Sequence, residues 1–169
     1  LLVQPFSVFS SNIIFMKHLL VCLASFLALG TLHAQEPADY VNPFIGTTNF
    51  GTCNPGAVCP NGMMSVVPFN VMGSEDNKYD KDARWWSTPY DYTNSFFTGF
   101  AHVNLSGVGC PELGSVLLMP TTGKLDVDYR NYGSKYEKEN ATPGYYTISL
   151  TKYNILAEAT ATPRTGLSR

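Results

Sequence analysis

The pattern of apolar and polar positions changes at residue 34. Residues 1–34 hold one charged side chain, Lys17, and no acid. Beyond them, short apolar runs are separated by turn residues. Residues 63–69 (MMSVVPF), 96–105 (FFTGFAHVNL) and 115–119 (SVLLM) read as strands of the buried kind, since large and β-branched residues run on without a polar partner face. Residues 124–129 (KLDVDY) alternate cleanly and predict a half-buried strand. Residues 144–150 (GYYTISL) and 153–162 complete the set. In the last run Ile155, Ala157, Ala159 and Ala161 share one face, and Leu156, Glu158, Thr160 and Thr162 the other. Gly51, Pro55, Gly56 and Pro60 break residues 46–62 into a loop, and Glu75, Asp76, Asp80 and Asp82 mark a solvated loop whose spacing is not that of an EF-hand. No long stretch repeats every 3.6 residues. Strands at this spacing between Gly/Pro turns predict an all-β sandwich.

Residues 16–34 carry the layout of a secretory signal peptide. Lys17 supplies the basic start, residues 19–32 the apolar run, and Leu32-His33-Ala34 a cleavage site after Ala34. The run is shorter than the roughly 20 residues a membrane span needs, so no span is expected in the mature chain. Residues 1–15 precede Met16 and read as an upstream extension. The mature part, 35–169, is then one exported β-sandwich domain, periplasmic or at the cell surface. Its strand–turn pattern runs into Arg169 without a polar tail, which predicts an incomplete sandwich with an unpaired edge over residues 153–162.

Composition narrows the function. Hydrophobic residues make up 44% and charged residues 14%, against about 25% charged in an average soluble domain, so disorder is excluded. With 11 basic and 13 acidic residues, no basic surface for nucleic acid is available. The mature part has one histidine, His102, and three cysteines, Cys53, Cys59 and Cys110. Their spacing fits no zinc site and favours packed thiols, although export would permit a Cys53–Cys59 bridge. Ser106 lacks the Gly-x-Ser-x-Gly setting of a hydrolase nucleophile. Asn104-Leu105-Ser106 and Asn140-Ala141-Thr142 match the glycosylation sequon. The aromatic run stands out. Trp85 and Trp86 lead into Tyr90, Tyr92, Phe96, Phe97 and Phe100, with His102 and Asn104 just beyond. Flat rings beside amide and imidazole groups suit a sugar, whose C–H faces stack while its hydroxyls are hydrogen-bonded. The phenylalanines are read as core, and one of the two adjacent tryptophans as facing a site.

Several stretches together resemble the N-terminal region of glycoside hydrolase family 92, the calcium-dependent exo-acting α-mannosidases. They are Tyr40-Val41-Asn42-Pro43-Phe44-Ile45-Gly46-Thr47, Asn54-Pro55-Gly56-Ala57, Pro60-Asn61-Gly62-Met63, Gly99-Phe100-Ala101-His102 with Leu105-Ser106-Gly107-Val108-Gly109-Cys110-Pro111, Pro143-Gly144-Tyr145-Tyr146, and Glu158-Ala159-Thr160-Ala161-Thr162-Pro163-Arg164. The resemblance implies an N-terminal β-sandwich that packs on a large (α/α)6 barrel, here missing. The barrel would supply the catalytic acid and base and most of the calcium site, so no residue of this chain is assigned a catalytic or metal-binding role and the chain alone is expected to be inactive. The resemblance also implies a mannose-containing glycan as substrate, hydrolysis with inversion, and an aromatic wall built by Trp86, with Trp85 the alternate. His102 and Asn104 complete the expected substrate-binding set. Asn104 stands where the family often has a second histidine. A reading of a different class is a carbohydrate-binding β-sandwich without catalysis.

Overall fold

The computed structural model describes residues 15–22, 36–48, 53–72, 89–104 and 114–169. Residues 15–22 form an exposed helix, α1, within a first unit, Leu1–Glu36. No helix among the described residues is long and apolar enough to cross a membrane. The second unit, Pro37–Arg169, holds the domain.

That unit is two antiparallel sheets. The first has the order β1-β2-β4-β5, from Ala57–Val58 (β1), Ser65–Phe69 (β2), Gly99–His102 (β4) and Val116–Leu118 (β5). The second has the order β3-β6-β7-β8-β9, from Phe96–Phe97 (β3), Ser134–Thr142 (β6), Tyr145–Leu150 (β7), Ile155–Ala161 (β8) and Gly166–Ser168 (β9). Ala57, Val66 and Phe100 of the first sheet meet Phe97, Ala141, Tyr146, Ile148, Leu150, Ala157 and Ala159 of the second in one buried cluster. This is the expected all-β sandwich. Across β7 and β8 small faces large: Tyr146 pairs with Ala159 and Ile148 with Ala157. The alanines leave room for the rings of the facing sheet, where Phe100 meets Tyr146 edge-on at 6.0 Å. Pro68 is tolerated in β2 because it stands past the end of β1, where β2 is paired with β4.

The elements depart from the sequence pattern at four places. The run 96–105 is two strands in different sheets. Gly99 has φ +148, a conformation that favours glycine, and Leu117 and the Leu118 carbonyl lie 3.0 Å from where its Cβ would stand. The chain crosses there, and Thr98 ties the crossing to the Phe69 carbonyl through its backbone N–H and its hydroxyl.

Residues 124–128 form no strand, and the chain leads into a one-turn helix, α2 (Tyr129–Tyr132). Leu125 and Val127 are 77% and 84% exposed. Asp126 accepts from the Asp128 N–H and Asp128 caps Arg130, so turn chemistry overrides the alternation. Strand β6 carries no strand pattern in the sequence, because it is polar and its alternation is broken by a bulge between Glu137 and Asn140, with Lys138 at φ 53.

The expected unpaired edge over residues 153–162 is not found: β8 pairs with β7 on one side and β9 on the other. The return through Pro163 places Gly166–Ser168 beside Ala159–Ala161, with the Thr162 N–H donating to the Thr165 carbonyl. Among the described residues, Cys53 and Cys59 are not bridged to each other.

Candidate functional site

Of the residues expected at a sugar site, His102 and Asn104 are described. Trp85 and Trp86 lie outside the described residues, as do Cys110, Ser106 and the acidic run from Glu75 to Asp82.

His102 ends β4 opposite Val66 of β2 and Val116 of β5. Its Nδ1 lies 3.2 Å from the Val116 carbonyl, so a proton there is held by the neighbouring strand and Nε2 is left as the acceptor. One edge of the ring is covered by β9. A Cβ on Gly166 would stand 3.4 Å from His102 Cδ2 and only 2.5 Å from Val66 Cγ2. A glycine is therefore what lets the second sheet close over His102.

Val103 follows with φ 61, an unusual conformation for a β-branched residue that costs about 1–3 kcal/mol where it occurs. Hydrogen bonds over-determine it. The Val103 N–H donates to the Ser65 carbonyl at 3.1 Å, and the Gly114 N–H donates to the Val103 carbonyl at 3.2 Å. This kink aims Asn104 back at β2: its N–H donates to Ser65 Oγ at 2.8 Å, and the Ser65 hydroxyl faces the Asn104 carbonyl at 3.4 Å. The side chain sits over Gly114, with Oδ1 3.1 Å from where a Cβ would be. Asn104 Nδ2 is buried with no acceptor among the described residues. Such a donor costs about 1–3 kcal/mol unless something satisfies it. The structure thus brings His102 and Asn104 to the same end of β4 and ties both to neighbouring strands by hydrogen bonds. Sequence reading named both residues but not Ser65 or Gly166, which reach them only through strand pairing and the closure of the two sheets.

Asp91 bonds to Thr93, Asp128 to Arg130, Glu158 to Tyr145 and Arg169, and Glu139 to Tyr146. These carboxylates brace the fold. No group of three or more His, Cys, Asp or Glu side chains that could hold a metal ion occurs among the described residues. A groove of about 590 Å³ gathers several of the resembling stretches, with Val41, Pro43, Asn54, Gly56, Pro60 and Pro143 in its walls. It is mainly apolar and holds no carboxylate or imidazole.

Residues 40–169 match the glycosyl hydrolase family 92 N-terminal domain. A protein named as an uncharacterized secreted glycosidase from Arthroderma benhamiae is 32% identical over 162 residues, covering 85% of this chain and 19% of that protein. Among solved structures, the family GH92 α-mannosidase BT3965 from Bacteroides thetaiotaomicron is 33% identical with a TM-score of 0.68, covering 79% of this chain and 18% of that one. The GH92 family glycosyl hydrolase ccman5 is 29% identical with a TM-score of 0.61, over 79% of this chain and 18% of its own. The chain therefore spans about a fifth of the length of these relatives. The chain belongs to glycosyl hydrolase family 92, and what it carries of that family is the N-terminal β-sandwich domain.

Proposed function

We propose that this domain forms one wall of the sugar site of a secreted, exo-acting α-mannosidase that hydrolyses α-mannosidic bonds of glycans with inversion. The observation that carries this reading is the likeness, in fold and in sequence, to the α-mannosidase from Bacteroides thetaiotaomicron. The local chemistry supports it. Asn104 Nδ2 is a buried donor with no acceptor among the described residues, and His102 offers a ring whose Nδ1 side is already fixed. A sugar hydroxyl can satisfy both kinds of group. Trp86, or Trp85 in its place, supplies the stacking face.

The acid and the base lie in the much longer part that the relatives have and this chain does not span. Inversion requires them to flank a water, with carboxyl groups about 6.5–9.5 Å apart. Calcium, held by that same part, would bind sugar hydroxyls as a Lewis acid and template. Residues 16–34 direct export, and the domain packs on the catalytic barrel.

The experiment is mannose release from an α-mannoside by the intact protein and by residues 35–169 alone. The intact protein is expected to release mannose and to lose that activity with a calcium chelator, regaining it when calcium is restored. Residues 35–169 alone are expected to release none. Mannose release by 35–169, or an intact protein that binds mannosides without cleaving them, overturns this reading; the latter outcome marks a carbohydrate-binding module.

A further inference from the structure

Strands β2 and β4 pair with Val66 opposite His102, a register that would set Ser65 opposite Val103 and Met64 opposite Asn104. The ladder does not run that far. Val103, at φ 61, turns the chain out of strand geometry, although its N–H still reaches the Ser65 carbonyl at 3.1 Å. Met64 does not take up Asn104 either. Its N–H, with that of Met63, donates to the Pro163 carbonyl, at 3.3 and 2.8 Å.

The Ser65 side chain fills the gap. Its Oγ accepts the Asn104 N–H at 2.8 Å, and its hydroxyl faces the Asn104 carbonyl at 3.4 Å. One hydroxyl thus stands in for a backbone partner, with the shorter contact carrying most of the hold. Ser65 is 7% exposed, so little water competes for these bonds. On its other side Asn104 is bounded by Gly114, where a Cβ would stand 3.1 Å from Oδ1. Once the backbone of residue 104 is fixed and its amide is hemmed in, the place of Nδ2 is fixed as well. Nδ2 is the buried donor that has no acceptor among the described residues.

We propose that Ser65 is a positioning residue of the sugar site: by holding the backbone of Asn104 it sets where the Asn104 amide presents its donor to a substrate hydroxyl. Ser65 does not touch the sugar; it acts through Asn104. The proposal rests on the reading above, in which Asn104 meets the substrate. A hydroxyl that only braced the fold would lower stability and leave the efficiency of each folded molecule alone. A positioning hydroxyl lowers that efficiency, and only while the Asn104 amide is there to be positioned.

The test is a double-mutant cycle in the intact protein, with kcat/KM on an α-mannoside measured per folded molecule for wild type, Ser65→Ala, Asn104→Ala and the double variant. Ser65→Ala should lower kcat/KM roughly 5- to 50-fold, within the hundredfold scale of a 1 Å misplacement. Asn104→Ala should lower it at least as much. In the Asn104→Ala background the serine change should then matter less than about twofold. Should Ser65→Ala not fold, Ser65→Cys takes its place in the cycle, since its sulfur is of similar size but a weak hydrogen-bonding partner. A loss with Asn104→Ala but none with the Ser65 variant overturns the positioning role and leaves the sugar reading standing. An equal serine effect in both backgrounds also overturns it, because Ser65 then acts by another route. An Asn104→Ala variant as efficient as wild type, or a wild type that releases no mannose, overturns the sugar reading and this proposal with it.

Discussion

Phe100→Ala is expected to cost about 3–5 kcal/mol, the range for deleting a buried aromatic ring. Phe100 is 1% exposed at the centre of the sandwich. It stands in β4 between β2 and β5 and reaches across to the second sheet, meeting Phe97 edge-on at 5.1 Å and Tyr146 at 6.0 Å. With Ala57 and Val66 it joins the two layers, and neighbouring backbone held in hydrogen-bonded strands cannot collapse into the void. A typical domain has about 5–15 kcal/mol in all, so this one ring decides much of the stability. Urea unfolding of the intact protein, followed on peptides from β4 and β7, should show a midpoint lower by roughly 1–3 M. Leu125→Ala, at a residue 77% exposed, should leave the same midpoint nearly unchanged, within about 0.5 kcal/mol. A Phe100→Ala midpoint equal to wild type would mean that the sheets do not close as described.

Trp86→Ala is expected to lower kcat/KM of the intact enzyme on an α-mannoside by about 1–3 kcal/mol, or roughly 5- to 150-fold, the scale of an aromatic stacking contact. The expectation rests on the proposed sugar site, in which the indole lines the wall beside His102 and Asn104. Melting temperature should change little. A variant that loses several degrees of melting temperature yet keeps its efficiency per folded molecule would make Trp86 a core residue. In that case the same substitution at Trp85 should carry the kinetic loss.

How much of this was legible in the sequence varies along the chain. Strands β7 and β8 were readable because the two-residue alternation of Ile155, Ala157, Ala159 and Ala161 is uninterrupted and Pro143-Gly144 marks the turn before it. The break at Thr98–Gly99 was not readable, since both flanks are apolar and the strands part only because they pair with different neighbours. Residues 124–128 misled through a local alternation that Asp126 and Asp128 convert into turns. Strand β9 is a short Gly-Leu-Ser stretch with no periodic signal of its own, and it exists because β8 offers it a ladder. At the site, His102 and Asn104 could be named from the resembling stretches, but Ser65 and Gly166 could not, because strand pairing and closure of the sheets bring them there. Glu139 was hidden most completely. Flanked by Glu137, Lys138 and Asn140 it reads as a solvated face, and only the bulge turns it inward.

On the function proposed above, residues 40–169 serve an inverting α-mannosidase. The most direct test is the anomeric configuration of the first mannose released by the intact protein from an α-mannoside, read by proton NMR before mutarotation. β-Mannose is expected first, as water attacks the face opposite the leaving group. α-Mannose appearing first, or no mannose at all from a folded, calcium-loaded protein, would contradict it.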